Sequence, residues 1–194
     1  MTGLPKLKDR KRKSIKQAAF TLFSEYGLKD VKITDIAKLA NVSQVTIYNH
    51  FENKEQLFRE TLIDYTNRKF EEYQGLLLNT SIPFQERIEQ YILDKIKSAE
   101  EIYPDIIETA LVKDDELRSF LQHFSQTKAI PLFVQFIKEG QDTGKINSEL
   151  SLEVILFYLQ MLSNEASTYS KIVTNGNTFA KELLHMFFYG LIGK

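Results

Sequence analysis

Residues 34–57 read TDIAKLANVSQVTIYNHFENKEQL, and they carry the signals for two short helices separated by a tight turn. Thr34 is placed to cap the first helix and Ser43 the second, since both types favour the N-cap position. Asn41 falls between them, where a tight turn often needs a positive φ that asparagine tolerates better than most residues. The two helices are expected over 35–40 and 44–50.

Longer helices are predicted on both sides of this stretch. Upstream, apolar residues recur at the spacing of one helical face, and Gly27 follows as a C-cap, which predicts a helix over about 9–26. The apolar face consists of Ile15, Ala18, Ala19, Leu22, Phe23 and Tyr26. Downstream, Asn53 is placed to cap a long fourth helix, with Leu57 and Phe58 directed toward a core.

The rest of the chain keeps a helical pattern, and no strand-length stretch alternates apolar and polar residues between hairpin turns. Pro131 lies inside an otherwise helical run and is expected to kink or split it. The chain is therefore predicted to be all-α.

The charges are divided unevenly along the chain. Residues 1–54 contain 11 Lys and Arg against 5 Asp and Glu, a net charge of +6, which leaves −7 for the remainder of a chain whose total is −1. A basic segment on an acidic body is expected where one end meets a polyanion. Two short helices joined by a tight turn are also the shape of a helix-turn-helix, whose second helix enters the major groove of DNA. The first segment is therefore predicted to bind double-stranded DNA.

The stretch 34–57 resembles the DNA-binding segment of the TetR family of transcriptional regulators, and the resemblance covers roughly residues 12–58. It implies a dimeric repressor that leaves its operator when a small molecule binds the C-terminal domain. Asn41 and Val45 depart from the family pattern, because each stands where glycine is common. The expected architecture is an N-terminal three-helix DNA-binding unit over 1–54, followed by a larger helical dimerisation and effector-binding domain over 55–194.

A recognition helix presents its N-terminal residues to base edges. The residues expected to read the sequence are Gln44, Val45, Thr46 and Asn49. Gln44 or Asn49 suits adenine, and the methyl groups of Val45 or Thr46 suit the thymine methyl. Val45 is also, with Val42, a candidate for an inward contact of the same helix.

Further contacts are expected with the DNA backbone. The resemblance places Tyr48 and His50 against phosphates, together with Lys54; the alternative for Tyr48 is a position in the core. Thr34 and Ser43, at helix starts, are expected either to bind phosphate or to act as caps alone. The basic stretch 6–13 either reaches phosphates or a minor groove, or is simply solvated.

A helix-turn-helix repressor reads a pseudo-palindrome as a dimer, so the chain needs a homodimer interface. The last two predicted helices, over 151–171 and 177–191, are rich in apolar residues. The residues expected at the interface are Phe157, Tyr158, Met161, Leu183, Leu184, Phe187 and Phe188. The alternative is a terminal helix buried within its own subunit.

Aromatic residues are frequent between residues 76 and 136, and they predict a pocket for a small apolar or aromatic effector. The candidate lining is Tyr91, Tyr103, His123, Phe124, Phe133 and Phe136. Aromatic residues at helical spacing are also common as plain core, so that alternative stays open.

Other functional classes find less support in the sequence. Cysteine is absent, and the chain has neither a phosphate-cradling glycine loop nor a nucleophile elbow. Glu182 and His185 form a single Glu-x-x-His pair, whereas a di-iron bundle needs two pairs and two more glutamates. We expect neither enzymatic activity nor a cofactor or metal, and, without an export signal or membrane span, a cytoplasmic protein. Two alternatives remain: a DNA-binding regulator without a small-molecule switch, and a helical protein-interaction module.

Overall fold

The chain is described here from a computed structural model, in which the described residues are 3–100, 106, 112–157 and 186. Their regular elements are all helical, and no strand occurs among them, so the all-α prediction is confirmed. The helices are α1 Gly3–Asp30, α2 Ile33–Leu39, α3 Gln44–Tyr48, α4 Lys54–Leu77, α5 Phe84–Glu100, α6 Asp115–Phe124 and α7 Ile130–Asp142. Residues 152–157 are also helical. No helix in these ranges combines the length and apolarity needed to span a membrane.

Helix α1 differs from the prediction at its start and agrees with it near its end. It begins at Gly3, six residues before the predicted start at Asp9, so the basic stretch 6–13 is helical. Lys, Arg and Leu are good helix formers, and Pro5 is tolerated because it lies in the first turn. Gly27 has φ 75° and ψ 172°, which interrupts the regular helix at the predicted position, although helical turns resume to Asp30.

The chain packs as two units. The first takes in the described residues of 1–71 and 101–124, and the second those of 72–100 and 125–194. The core of the first unit contains side chains from α1 to α4, and also Ile106 and Leu117. Phe23 and Phe58 meet edge to face within it, with ring centroids 5.3 Å apart. The core around the predicted helix-turn-helix therefore includes residues from beyond position 100.

Polar and aromatic contacts join α1 to α4 along this core. Arg12 pairs with Glu60, and one turn further along both helices Lys16 pairs with Asp64. Next to them, the rings of Phe20 and Tyr65 stack with centroids 4.5 Å apart.

A buried arginine organises the second unit. The side chain of Arg87 is 3% exposed, pairs with Glu139 and donates to the Leu77 carbonyl. Its guanidinium carbon lies 5.4 Å and 5.3 Å from the ring centroids of Phe84 and Phe136, which stack on each other. A buried charge is tolerated only with such partners, so Arg87 ties the end of α4 to α5 and α7.

Residues 115–142 stay helical, and the interruption predicted at Pro131 takes the form of a change of helix type just before it. Pro131 lies at the start of α7, directly after a π-helical turn at Ser125–Ala129. Proline lacks the N–H that would continue the ladder of hydrogen bonds. The wider π-helical turn before Pro131 accommodates the missing hydrogen bond.

Two glycines provide a test of this packing. A Cβ at Gly140 would lie 2.6 Å from the Phe84 ring and 2.8 Å from Ile146, whereas at Gly75 it would meet nothing within 4 Å. Overpacking costs about 1–3 kcal/mol, and alanine in place of an open helical glycine contributes up to about 1 kcal/mol. Urea unfolding should therefore show Gly140→Ala less stable and Gly75→Ala more stable than the parent. Equal shifts in the two variants would contradict the close packing at Gly140.

Candidate nucleic-acid interface

Helix α2 begins earlier than its residues suggested. Lys32 is the N-cap, with extended backbone and no side-chain capping bond, and its carbonyl accepts the amides of Asp35 and Ile36 at 3.0 Å and 3.3 Å. Thr34 is exposed in the first turn, so the prediction that it caps the helix is wrong. Ile33 packs against the core and is the first residue of the helix, which therefore begins two residues before the predicted start at Asp35.

The turn between α2 and α3 is closed by the backbone. Asn41 has φ 54°, as predicted, and is the one non-glycine residue with positive φ among those described. The amides of Val42 and Asn41 donate to the carbonyls of Ala37 and Lys38 at 3.0 Å and 3.2 Å. This pair of bonds is a Schellman motif, which satisfies the last carbonyls of α2 and sets the direction in which the chain leaves it.

Helix α3 is held in place by its cap and by one buried side chain. Ser43 Oγ accepts the amide of Thr46 at 3.1 Å, which confirms Ser43 as the N-cap. Ile47 is 1% exposed and belongs to the core of the first unit. Ile47 was not among the residues predicted to be buried, although its i, i+4 spacing from Phe51 was a signal. The helix ends at Tyr48, two residues before the predicted end, and Asn49 is its C-cap.

Opposite Ile47, α3 presents a continuous exposed face, which we call the α3 face and define as Gln44, Val45, Tyr48 and Asn49. Val45 is 68% exposed and Tyr48 53% exposed. The expectation that Val45 points inward is therefore wrong. Thr46, also expected to read bases, is half-buried and bonded through its hydroxyl to Ser43 at 2.8 Å. Three of the four expected readout residues thus share one open surface.

Helix α4 starts beside this face. Asn53 Oδ1 accepts the amide of Gln56 at 2.7 Å, so the predicted cap is present. Lys54 Nζ donates to the carbonyls of Leu28 and Val31 at 2.7 Å and 3.1 Å, and lies 3.4 Å from that of Lys29. Lys54 therefore satisfies the end of α1, and a phosphate contact would require it to leave these carbonyls.

His50 lies at the junction of α3, α4 and the basic start of α1. Its side chain is half-buried, and Nδ1 has no hydrogen-bond partner among the described residues. Burial lowers the pKa of His50 below its ordinary 6.5, and the charges of Lys8, Arg12 and Lys11 lower it further. The Arg12 guanidinium carbon also lies 4.9 Å from the ring centroid of Phe51, the next residue. The basic start of α1 is thus close to His50 and Phe51, the residues that follow α3.

The residues expected to line an effector pocket are distributed over different parts of the structure. Tyr91 packs edge to face against Tyr73 and Phe133, with centroids 4.8 Å and 5.3 Å apart, and burial raises its pKa. Phe136 belongs to the stack around Arg87 in the second unit. Of the predicted set, Tyr91 and Phe133 are therefore the pair found in mutual contact among the described residues.

The other members of that set lie elsewhere. Phe124 is buried in the first unit against Phe70, with centroids 5.3 Å apart. His123 is exposed on α6, and Tyr103 lies outside the described residues. Across the described part of the chain, no three His, Asp or Glu side chains are grouped to hold a metal ion.

Of the predicted dimer residues, Phe157 is described and is 69% exposed. Met186, from the last predicted helix, is 64% exposed. The remaining residues lie outside the described ranges, namely Tyr158, Met161, Leu183, Leu184, Phe187 and Phe188.

Comparison with known proteins matches residues 15–61 to the family described as bacterial regulatory proteins, tetR family. The chain is 23% identical over 154 residues to the HTH-type transcriptional repressor KstR2 of Mycolicibacterium smegmatis, covering 77% of this chain and 74% of that protein. It is 41% identical over 83 residues to the HTH-type transcriptional regulator YhgD of Bacillus subtilis, covering 41% of each.

The fold is similar to that of a solved regulator over most of its length. The transcriptional regulator FadR of Bacillus subtilis, in complex with stearoyl-CoA, has a TM-score of 0.62 at 18% identity. The match covers 92% of this chain and 98% of that one. These relatives are transcriptional regulators rather than enzymes.

The two candidate caps give a direct test of the local structure. Replacing Ser43 by alanine removes the acceptor for the Thr46 amide and should lower the free energy of unfolding by about 1 kcal/mol. Thr34→Ala removes no capping bond and should stay within about 0.5 kcal/mol of the parent. Urea titration followed by circular dichroism measures both. A larger loss for Thr34→Ala than for Ser43→Ala would contradict the assignment of the caps.

Proposed function

Since the chain is a TetR-family helix-turn-helix transcriptional regulator, we propose that it binds operator DNA as a homodimeric repressor and is released by a small-molecule effector. In this proposal residues 1–54 contact DNA, while residues 55–194 provide dimerisation and effector binding. The observation that carries the proposal is the α3 face, whose four side chains are open to a ligand while Ile47 anchors the helix from behind.

The chemistry of the α3 face suits base edges in a major groove. Gln44 and Asn49 each carry an amide that matches the donor and acceptor pair of adenine. The side chain of Val45 is 68% exposed, and its methyl groups suit the methyl of thymine. The face therefore combines polar and apolar readout on one short helix.

Phosphate contacts on either side would orient that helix. Tyr48 is exposed on the α3 face, and His50 adjoins the cations of Lys8 and Lys11. Thr34 and Ser43 lie at or near helix starts, where free amides attract anions. Contacts to phosphate position a protein on the duplex, whereas contacts to bases specify the sequence. For Lys54 to bind a phosphate, its ammonium group would have to break its hydrogen bonds to the Leu28 and Val31 carbonyls.

Dimerisation is supported by apolar side chains exposed near the end of the described chain. Val154, Phe157 and Met186 are 56%, 69% and 64% exposed. Val154 and Phe157 are three residues apart on one helix, so they lie on the same face, and an exposed apolar helix face suits contact with a partner. The last two predicted helices therefore remain the proposed homodimer interface.

The effector proposed is small and apolar or aromatic. Tyr91, Tyr73 and Phe133 supply aromatic surface in the second unit, and Lys95 Nζ lies 5.2 Å and 5.9 Å from the ring centroids of Tyr73 and Tyr91. A regulator of similar fold was solved with stearoyl-CoA. An apolar tail with an anionic head group is therefore the first ligand class to test.

Selection of bound duplexes from random DNA tests the central proposal. It should return an inverted repeat whose half-site centres lie about 34–36 Å apart or a multiple of that distance. Asn49→Ala should relax the preference at one position of each half-site, by about 1–3 kcal/mol. A selection that returns no preferred sequence would contradict the proposed function.

Lys11→Met should weaken binding to all duplexes alike, because an interaction with phosphate carries no sequence information. The log-log slope of affinity against salt should become shallower by about 0.9 for each phosphate that the variant no longer neutralises. Lys138→Met, the same substitution on α7, should leave the slope unchanged. Equal effects of both variants would show that Lys11 acts only through net charge.

Operator binding should also strengthen as the pH falls. In the free protein the pKa of His50 is lowered, so its imidazole is neutral near pH 7. A phosphate beside the ring favours the charged form and raises the pKa in the complex, so binding takes up a proton. Affinity should therefore rise from about pH 8 to about pH 6. His50→Gln should flatten this dependence and His123→Gln should preserve it; an unchanged profile in His50→Gln would exclude the contact.

Stearoyl-CoA should raise the melting temperature of the protein and weaken its binding to the selected operator. A ligand at 100 times its dissociation constant adds about 2.7 kcal/mol to stability. Free coenzyme A serves as the control for the head group alone. Stabilisation without any decrease in operator binding would contradict release by this ligand class.

A further inference from the structure

Helix α6 packs on the unit that carries the helix-turn-helix, although it lies more than 50 residues further along the chain. Leu117 is 0% exposed and belongs to the same core cluster as Ile36 and Ile47. Phe120 and Leu121 are partly buried against that cluster. These three residues follow the i, i+3, i+4 spacing of one helical face. Helix α6 thus contributes to the hydrophobic core against which α2 and α3 pack.

An ion pair holds the start of α6 against α4. Arg59 Nε lies 3.0 Å from each carboxylate oxygen of Asp114, and Arg59 Nη1 also pairs with Glu116. The side chains of Arg59 and Asp114 are 25% and 11% exposed. Charge-assisted bonds in a partly buried setting hold their geometry more firmly than exposed pairs do.

Asp114 has a second function in the same place. Its Oδ1 accepts the amide of Leu117 at 2.9 Å, and its carbonyl accepts the amide of Arg118 at 2.9 Å. Asp114 is therefore the N-cap of α6. One carboxylate both defines where α6 begins and binds it to α4.

Helix α4 is the element through which a change at α6 would reach the α3 face. Arg59 follows Leu57 and Phe58, which are buried in the core that seats α3. The next residue, Glu60, pairs with Arg12 of α1, and Lys54 binds the carbonyls at the end of α1. The first two turns of α4 therefore contact α1, the core under α3 and α6.

We propose that the Arg59–Asp114 pair is a positioning contact for DNA binding, through which α6 sets the operator affinity of the α3 face. Neither side chain needs to touch DNA: the pair fixes α6 on the core that orients α3. This inference rests on the proposed function, and it identifies the contact by which the chain beyond residue 100 would regulate that function.

Two variants break the ion pair in different ways. Arg59→Met removes the cation and keeps most of the side-chain volume. Asp114→Asn removes the charge but keeps an oxygen acceptor, and asparagine is as good an N-cap as aspartate, so α6 should still start correctly. Arg118→Met is the matched control, because the Arg118–Asp115 pair lies within α6 itself.

Operator affinity is measured by fluorescence anisotropy on the selected duplex, at a temperature where circular dichroism shows every variant folded. Arg59→Met and Asp114→Asn should each weaken binding by about fivefold or more, the lower end of typical coupling between sites. The double variant should be no weaker than Arg59→Met, because Arg59→Met already removes the pair with Asp114. Arg118→Met should stay within about twofold of the parent.

Several outcomes would overturn the inference. Unchanged affinity with a lowered melting temperature would make the pair merely structural. Weak binding by Arg59→Met but not by Asp114→Asn would mean that Arg59 acts through another group, such as Glu116 or a phosphate. Should Arg59→Met fail to fold, Asp114→Asn tests the pair, and Arg59→Lys, which keeps the cation, should bind the operator more tightly than Asp114→Asn; equal affinities would contradict the inference. Parent protein without a preferred duplex would contradict the proposed function, whereas normal parent binding with unaffected variants contradicts this inference alone.

Discussion

The candidate DNA-binding surface depends on the packing of α3, a helix of five residues, against a hydrophobic core. So short a helix is not stable by itself, because nucleating the first turn costs more than its few hydrogen bonds return. Here the burial of Ile47, the capping bond from Ser43 and the Schellman closure at Asn41 act together on one segment. Their combination leaves the opposite side of α3 open, and that open side is the candidate DNA-binding surface.

Helix α4 connects this surface to the rest of the first unit. Its first turns satisfy the end of α1 through Lys54, pair with α1 through Glu60 and hold α6 through Arg59. Because these contacts come from successive turns of one rigid helix, α1, α3 and α6 are positioned by the same element. A basic first segment and a later helix therefore share one structural support, although they are far apart in sequence.

Aromatic residues that the sequence predicted to line a pocket pack against other aromatic side chains in the second unit. Phe136 stacks on Phe84 beside a buried arginine, and Phe124 is buried against Phe70 in the other unit. The sequence predicts that aromatic residues are largely buried. It does not predict which of them would line a ligand site and which pack against one another. Tyr91 and Phe133, in contact with each other, remain the part of the predicted set on which an effector site can be proposed.

The helical class, the turn at Asn41 and the caps at Ser43 and Asn53 could all be predicted from the amino-acid sequence. These features depend on interactions within about one helical turn, so their signals are adjacent along the chain. By contrast, the pairing of Lys54 with carbonyls 23 to 26 residues earlier, and of Arg59 with Asp114 across 55 residues, results from the folded packing. The tertiary structure also decided that Thr34 leaves the capping position, since the burial of Ile33 moves the start of α2 forward. Contacts at such separations arise from packing, and no local pattern of residues encodes which distant partner will be near.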